Sequence, residues 1–199
     1  MKSVLISIRP KWCEKIASGK KTVEVRKTKP NIPTPFKCYI YCTNQRVNGE
    51  ILLTYDKKVE GRNRGFRYEG DIPLAGKVIG EFECKDILNF ALDPYGHVCA
   101  DDLKASCLTT EDLWNYAKGK TLYGWHISDL KIYDKPKELC EFFCPCEKQK
   151  YPYCFDCEHG LQKGEERQID GMRHYDVPCG NWLKRPPQSW CYVEEMNNG

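Results

Sequence analysis

Three ionisable side chains fall within a six-residue span near the N-terminus: Lys21, Glu24 and Arg26, in the run Gly19-Lys20-Lys21-Thr22-Val23-Glu24-Val25-Arg26. A lysine in such a run can set a positive charge against a phosphate or, if desolvated, act as a base with a lowered pKa. Glu24 can accept hydrogen bonds, as reading an exocyclic amine requires, and can transfer protons if its pKa is raised. Arg26 can hold Glu24 in a bidentate pair or contact phosphate directly. Spacing alone favours a solvated Glu–Arg surface pair worth under about 1 kcal/mol.

The second chemistry-bearing set is made of thiols. Cys154-Phe155-Asp156-Cys157 is a C-x2-C pair, the spacing with which one turn presents two thiolates to a tetrahedral zinc. Cys144-Pro145-Cys146 precedes it and Cys179 follows it. A polar segment of roughly 40 residues buries too little apolar surface to fold alone, and a structural Zn2+ would supply that stability. Cys154, Cys157 and Cys179 are the expected ligands; the fourth is Cys146 or Cys144, with Cys140 and His159 as outsiders. A redox role for the C-x2-C fits less well, because no βαβ pattern surrounds it.

The elements that must position these residues follow from periodicity. Ser3 to Ile8 alternates like a half-buried strand. Pro10 suits a first helical position, Trp12, Cys13, Ile16 and Ala17 share one helical face, and Gly19 is the expected cap. Thr22 to Lys27 reads as a short strand with Val23 and Val25 on one face and Thr22, Glu24 and Arg26 on the other. Strict alternation would place Lys21 on the opposite face from Glu24, so Lys21 must belong to the turn before the strand becomes regular. After the connector Asn31 to Pro35, strands are expected around Cys38 to Cys42, at Glu50 to Tyr55, and over Lys77 to Phe90, where Gly80 permits a bulge. Thr109 caps a helix running to Gly119, with acids in its first turn. Leu122 to Tyr133 is strand-like and Asp134 to Pro136 closes it. Trp190 to Val193 is a last strand.

Many strands and two short helices suggest an α+β fold built on a small β-barrel. The expected organisation is a barrel over 1–139 with a returning strand at about 186–195. Residues 140–185 form the Cys-rich, zinc-knuckle insertion.

The chain has 199 residues, 41% of them apolar and 12% aromatic, which suffices for a core and argues against disorder. Its formal net charge is only +3, yet residues 1–30 hold nine Lys or Arg against Glu14 and Glu24, a local +7. Such asymmetry suggests a local anionic ligand rather than a polyanion wrapped around the whole molecule. Gly61 to Tyr68 (GRNRGFRY) reads as a loop whose arginines, Arg64 among them, could grip phosphates while Phe66 and Tyr68 stack on bases.

No apolar run approaches a membrane span, and no signal-peptide pattern follows Met1. Thirteen cysteines, an odd number, in such a chain point to reduced thiols and a cytoplasmic setting. Cys13, Cys38, Cys42 and Cys84 occupy apolar positions and are expected in the core, while Cys99, Cys107 and Cys191 have no assigned role beyond packing. His97 and His126 read as structural and His174 as an exposed loop residue. Trp12, Trp114, Trp125 and Trp190 read first as core, with Trp12 also placed to stack a base.

The motif G-x-K-x-x-E-x-R, following a strand and a short helix, resembles the ASCH family of the PUA-like superfamily. KVIGEFEC (residues 77–84) and GWHISDLKIYDKP (residues 124–136) also look like that family, and the ending RPPQSWCYVEE resembles phage- and prophage-type members. The resemblance covers about 1–139 and 185–195. It implies a PUA-like barrel with a cleft beside the motif that binds RNA or a modified nucleotide or nucleoside. The ligand-binding set would be Lys21, Glu24, Arg26, Lys20, Trp12 and Arg64. Some small members are N4-acylcytidine amidohydrolases, and ribonuclease activity is attributed to others. If this chain were an enzyme, Lys21 and Glu24 would be its catalytic pair. The amidohydrolases resemble the chain at Lys21 but carry threonine where it has Glu24. A protein-interaction module acting through the knuckle, with no partner specified, is a third reading.

Overall fold

In a computed structural model, residues 2–44, 46–47, 50–51, 74–90, 98–145, 167–169, 172–174 and 181–195 are described. The elements are β1 (Ser3–Ile8), α1 (Pro10–Ala17), β2 (Val23–Arg26), β3 (Phe36–Cys42), β4 (Arg46–Val47), β5 (Glu50–Ile51) and β6 (Val78–Phe90). They continue with α2 (Ala100–Ser106), α3 (Thr110–Ala117), β7 (Leu122–Lys137), a 3-10 turn at Leu139–Glu141, β8 (Phe142–Phe143), β9 (Arg167–Ile169), β10 (Met172–His174) and β11 (Trp190–Glu195). Seven strands form one mixed sheet in the order β2-β7-β6-β3-β1-β11-β8; β4 pairs with β5, and β9 with β10. β1 runs parallel to β3, and every other pairing in the main sheet is antiparallel.

The sheet is rolled. β2 and β1 stand four places apart in the strand order, which in a flat sheet is roughly 19 Å, beyond the reach of any side chain. Arg26 Nη2 on β2 nevertheless donates to the Ser7 carbonyl on β1 at 2.6 Å. Just past β2, the Asn31 N–H donates to the Tyr192 hydroxyl, and Trp190 Nε1 on β11 donates to Thr28 Oγ1. Side chains, rather than a backbone ladder, therefore join the two margins of the roll among the described residues.

Two apolar clusters share the central strands. Val4, Ile6 and Ile8 of β1 and Cys38, Ile40 and Cys42 of β3 enter the main cluster with Cys13 and Ile16 of α1, Phe82, Cys84 and Trp125. The alternate residues Leu5, Tyr39 and Tyr41 enter a second cluster with Phe142, Leu183 and Val193. β1 is accordingly buried along all six residues, not half-buried as alternation suggests. The reason is coverage: chain from the far C-terminal region lies on the face that would otherwise meet water. Leu183 N–H donates to the Phe142 carbonyl, and Cys144 N–H donates to the Asn181 carbonyl. A third cluster packs Val23 and Val25 of β2 against Phe90, Leu122 and the α3 residues Leu113 and Ala117.

Several expectations change. Among the described residues there are three short α-helices, not two: α2 has no side-chain N-cap and too short an apolar pattern to be read from sequence. β7 does not end at Asp134 to Pro136 but reaches Lys137. Between the pairs Gly80↔Ile132 and Val78↔Lys137, β6 advances two residues while β7 advances five, so the proline falls in a bulge where no ladder bond is lost. Trp114 is half exposed on α3, although its neighbours Leu113 and Ala117 are buried, whereas Trp125 is wholly buried. His174 ends β10 instead of lying in a loop. Helix α3 does start from a Thr109 capping box, and Gly19 takes the left-handed conformation (φ 72°) that lets the chain turn out of α1. The four cysteines expected in the core, Cys13, Cys38, Cys42 and Cys84, are all buried. Among the described residues, no helix is long and apolar enough to cross a membrane.

Candidate functional site

The Gly19 turn delivers Lys21 ahead of β2 rather than on it, which frees its side chain from strand alternation. Its ammonium lies 3.4 Å from Glu24 Oε2 and donates to the Ser106 carbonyl at 2.6 Å. Ser106 is the last residue of α2, so the lysine satisfies one of that helix's unpaired terminal carbonyls. Thr22 N–H, bonded to the Ala105 carbonyl at 2.9 Å, ties the same turn to the same helix end. On β2, Arg26 Nη2 lies 3.1 Å from Glu24 Oε1 and donates to the Ser7 carbonyl. Glu24 is thus held between two cations, each anchored to backbone from another element.

All three side chains are buried: Lys21 is 2% exposed, Glu24 6% and Arg26 8%. This excludes the solvated surface pair that spacing alone allows. Burial is also the main influence on Lys21, whose pKa it pulls below the ordinary 10.5 against the opposing pull of Glu24. The cost of removing three charges from water is met by mutual pairing and the two carbonyls.

The trio lies at a cavity of about 420 Å³. Arg9, Lys11 and Trp12 come to it from the first helical turn, Ser7 and Thr43 from the ends of β1 and β3, and Asp112 and Tyr116 from α3. Three ammonium groups surround the Trp12 ring: Lys11 at 4.5 Å, Lys15 at 4.9 Å and Lys21 at 5.1 Å from its centroid. Lys27 sits 4.8 Å over Tyr116, and Lys29 5.4 Å over Tyr123. Asp112 holds its place through the α3 cap, accepting from Thr109 N–H and Oγ1, and this cap lowers its carboxyl pKa.

Of the residues singled out from the sequence, Lys21, Glu24, Arg26 and Trp12 come together at this cavity. Lys20 is exposed on the adjoining turn, where its carbonyl accepts from Cys107 Sγ. Arg64 lies outside the described residues, as do Cys146, Cys154, Cys157, Cys179, His97 and His159. Cys144 is described: it is half-buried against the second apolar cluster. Asn181 Nδ2 donates to its carbonyl, so its backbone is bonded to Asn181 in both directions. Among the described residues, no group of three or more His, Cys, Asp or Glu is placed to hold a metal ion.

Sequence reasoning missed Ser7, Ser106, Asp112 and Tyr116. Ser7 and Ser106 contribute backbone carbonyls, which no side-chain pattern signals. Asp112 was legible only as an acid in the first turn of a helix, and Tyr116 carried no signal of its own.

No family model and no curated protein matches the chain. Among solved structures it is similar to crystal structures of the ASCH protein ZmASCH from Zymomonas mobilis, at 19% identity. A tyrosine-to-phenylalanine mutant of that protein aligns with 70% of this chain and 77% of its own, with a TM-score of 0.46. The unmutated protein and a serine-to-alanine mutant each align with 68% of this chain and 70% of theirs, with TM-scores of 0.42.

Proposed function

We propose that the chain is an ASCH-type, PUA-like domain that binds RNA or a nucleotide in the cavity beside Lys21, Glu24 and Arg26. One observation carries this reading: two cations and a carboxylate, all more than nine-tenths buried, meet at a cavity whose rim adds Arg9, Lys11, Trp12 and Tyr116. A fold core alone has no use for such a cluster, since replacing buried ion pairs with apolar residues is often neutral or stabilising. Cations beside aromatic rings suit a ligand with anionic and planar parts. The test is fluorescence anisotropy with short labelled RNA. Lys21→Ala or Arg26→Ala is expected to weaken binding at least tenfold, and unchanged affinity in folded variants would sink the assignment.

A hydrolase at the same site is the second reading, favoured by the burial that depresses the Lys21 pKa toward that of a usable base. It requires turnover of RNA or an N4-acylated cytidine that Lys21→Ala abolishes. Silence with both substrate classes counts against it.

We also propose a structural zinc held by Cys154, Cys157, Cys179 and Cys146. The C-x2-C spacing supports it, as does the pairing of Cys144 with Asn181, each two positions from a proposed ligand. Cys144 packs on apolar side chains, which favours Cys146 as the fourth ligand. Elemental analysis of the purified chain is expected to find about one zinc per chain; metal-free, fully folded protein would refute it.

A further inference from the structure

Six ionisable side chains line the cavity: Arg9, Lys11, Lys21 and Arg26 against Glu24 and Asp112. Both carboxylates are already engaged. Glu24 offers one oxygen to Lys21 and the other to Arg26, at 3.4 and 3.1 Å. Asp112 Oδ2 takes the Thr109 N–H at 3.0 Å and its hydroxyl at 2.9 Å. The cations are therefore in surplus, four to two, and the buried carboxylate, Glu24, already has both oxygens on protein cations. Arg26 adds a sharper demand. Its Nε is buried and finds no acceptor among the described residues, and the residue is only 8% exposed. A buried donor of this kind is costly and calls for an acceptor.

The geometry points to a phosphate-binding floor: a nucleotide or RNA phosphate enters against Arg26 and Lys21, leaving its base toward the rim, beside Trp12 and Tyr116 and the lysines that lie over their rings. A phosphate supplies only acceptors and negative charge, and guanidinium and ammonium groups are its usual partners. A base-first entry would need an acceptor beside the buried cations for an exocyclic amine, and there Glu24 has both oxygens on Lys21 and Arg26. Glu24 is then a positioning residue, holding two cations at a fixed separation, and not the reader of a base. This inference rests on the nucleotide reading above and goes beyond it by assigning which part of the ligand the buried trio recognises.

Calorimetric titration of the full chain with inorganic phosphate, cytidine, cytidine 5′-monophosphate and a short RNA tests it. Cytidine 5′-monophosphate is expected to bind at least tenfold more tightly than cytidine, and inorganic phosphate to compete with both nucleotide and RNA. Arg26→Lys, which keeps the charge but loses the Nε–Nη fork, is expected to remove most of the nucleotide's advantage over the nucleoside. If cytidine binds as tightly as its monophosphate, the phosphate-first orientation falls while the nucleotide site stands. If phosphate binds but neither competes nor responds to Arg26→Lys, it sits elsewhere and the proposal falls. If no ligand in the series binds, the site and its orientation fall together. The ligand series uses the unaltered chain, so it decides the matter even if Arg26→Lys fails to fold.

Discussion

Lys21 is a cation in a place that disfavours cations, and its neighbours decide how far that matters. Because burial lowers its pKa below 10.5, the folded chain holds this proton less tightly than the unfolded chain does. Between the lowered folded value and 10.5, the unfolded state binds more protons, so this group's contribution to stability rises with pH. Wild type is therefore expected to gain stability relative to Lys21→Met as pH climbs through that window, measured by urea unfolding at several pH values. Ligand affinity should move the opposite way over the same range, since the ammonium that meets the phosphate is being lost. Lys21→Arg should shift that decline to higher pH. Glu24 has a different part. Glu24→Gln leaves two buried cations without their counter-charge and is expected to cost about 3 kcal/mol in urea unfolding. Phosphate affinity in that variant should weaken, since Lys21 and Arg26 lose the carboxylate that fixes their separation.

At the scale of elements, the site exists because β2 is held from both sides. Its Val23 and Val25 pack with α3 residues while Glu24 and Arg26 line the cavity, which Val25 also borders. The support is tight at Gly124 on β7, which pairs with Val25. A methyl group there would lie 2.2 Å from Phe90 Cε2 and 2.9 Å from Val23 Cγ1. Gly124→Ala is thus expected to destabilise the chain by about 2 kcal/mol through overpacking, read as a lowered urea midpoint. Weakened ligand binding should accompany it, because the displaced Phe90 and Val23 bear on β2. The α2 end matters equally: the Ser106 carbonyl and the Ala105 carbonyl hold Lys21 and Thr22 in place. Here sequence reading had least purchase, since a seven-residue helix with no side-chain cap leaves almost no periodic trace.

Across the whole molecule, charge and coverage are distributed unevenly. Net charge is only +3 while the first 30 residues carry a local +7, and the fold brings four of that segment's cations, Arg9, Lys11, Lys21 and Arg26, to one cavity. RNA affinity should therefore fall with salt as expected for a few phosphates, not for a wrapped polyanion. With four cations at the cavity, the slope of log K against log salt is expected between about −2 and −3 for a single strand. A slope several times steeper would mean that the contact surface extends far beyond this site. The C-terminal region serves coverage: Phe142, Leu183 and Val193 close the second face of β1 and β3, turning an open half-sheet into a doubly buried one.

The sequence by itself determined the local pieces: α1 from Pro10 and its apolar face, the left-handed turn at Gly19, the Thr109 cap, the two long strands, and the placing of Lys21 before the strand begins. Each depends on interactions among residues a few positions apart. It also brought forward Lys21, Glu24 and Arg26 as a set, by spacing and by family resemblance. Only the tertiary structure decided that this set is buried, that Ser7 and Ser106 hold it, and that Asp112 and Tyr116 complete the cavity. Those contacts join residues such as Lys21 and Ser106, 85 positions apart. They depend on how the sheet rolls and what covers it, so no local pattern in the chain encodes them.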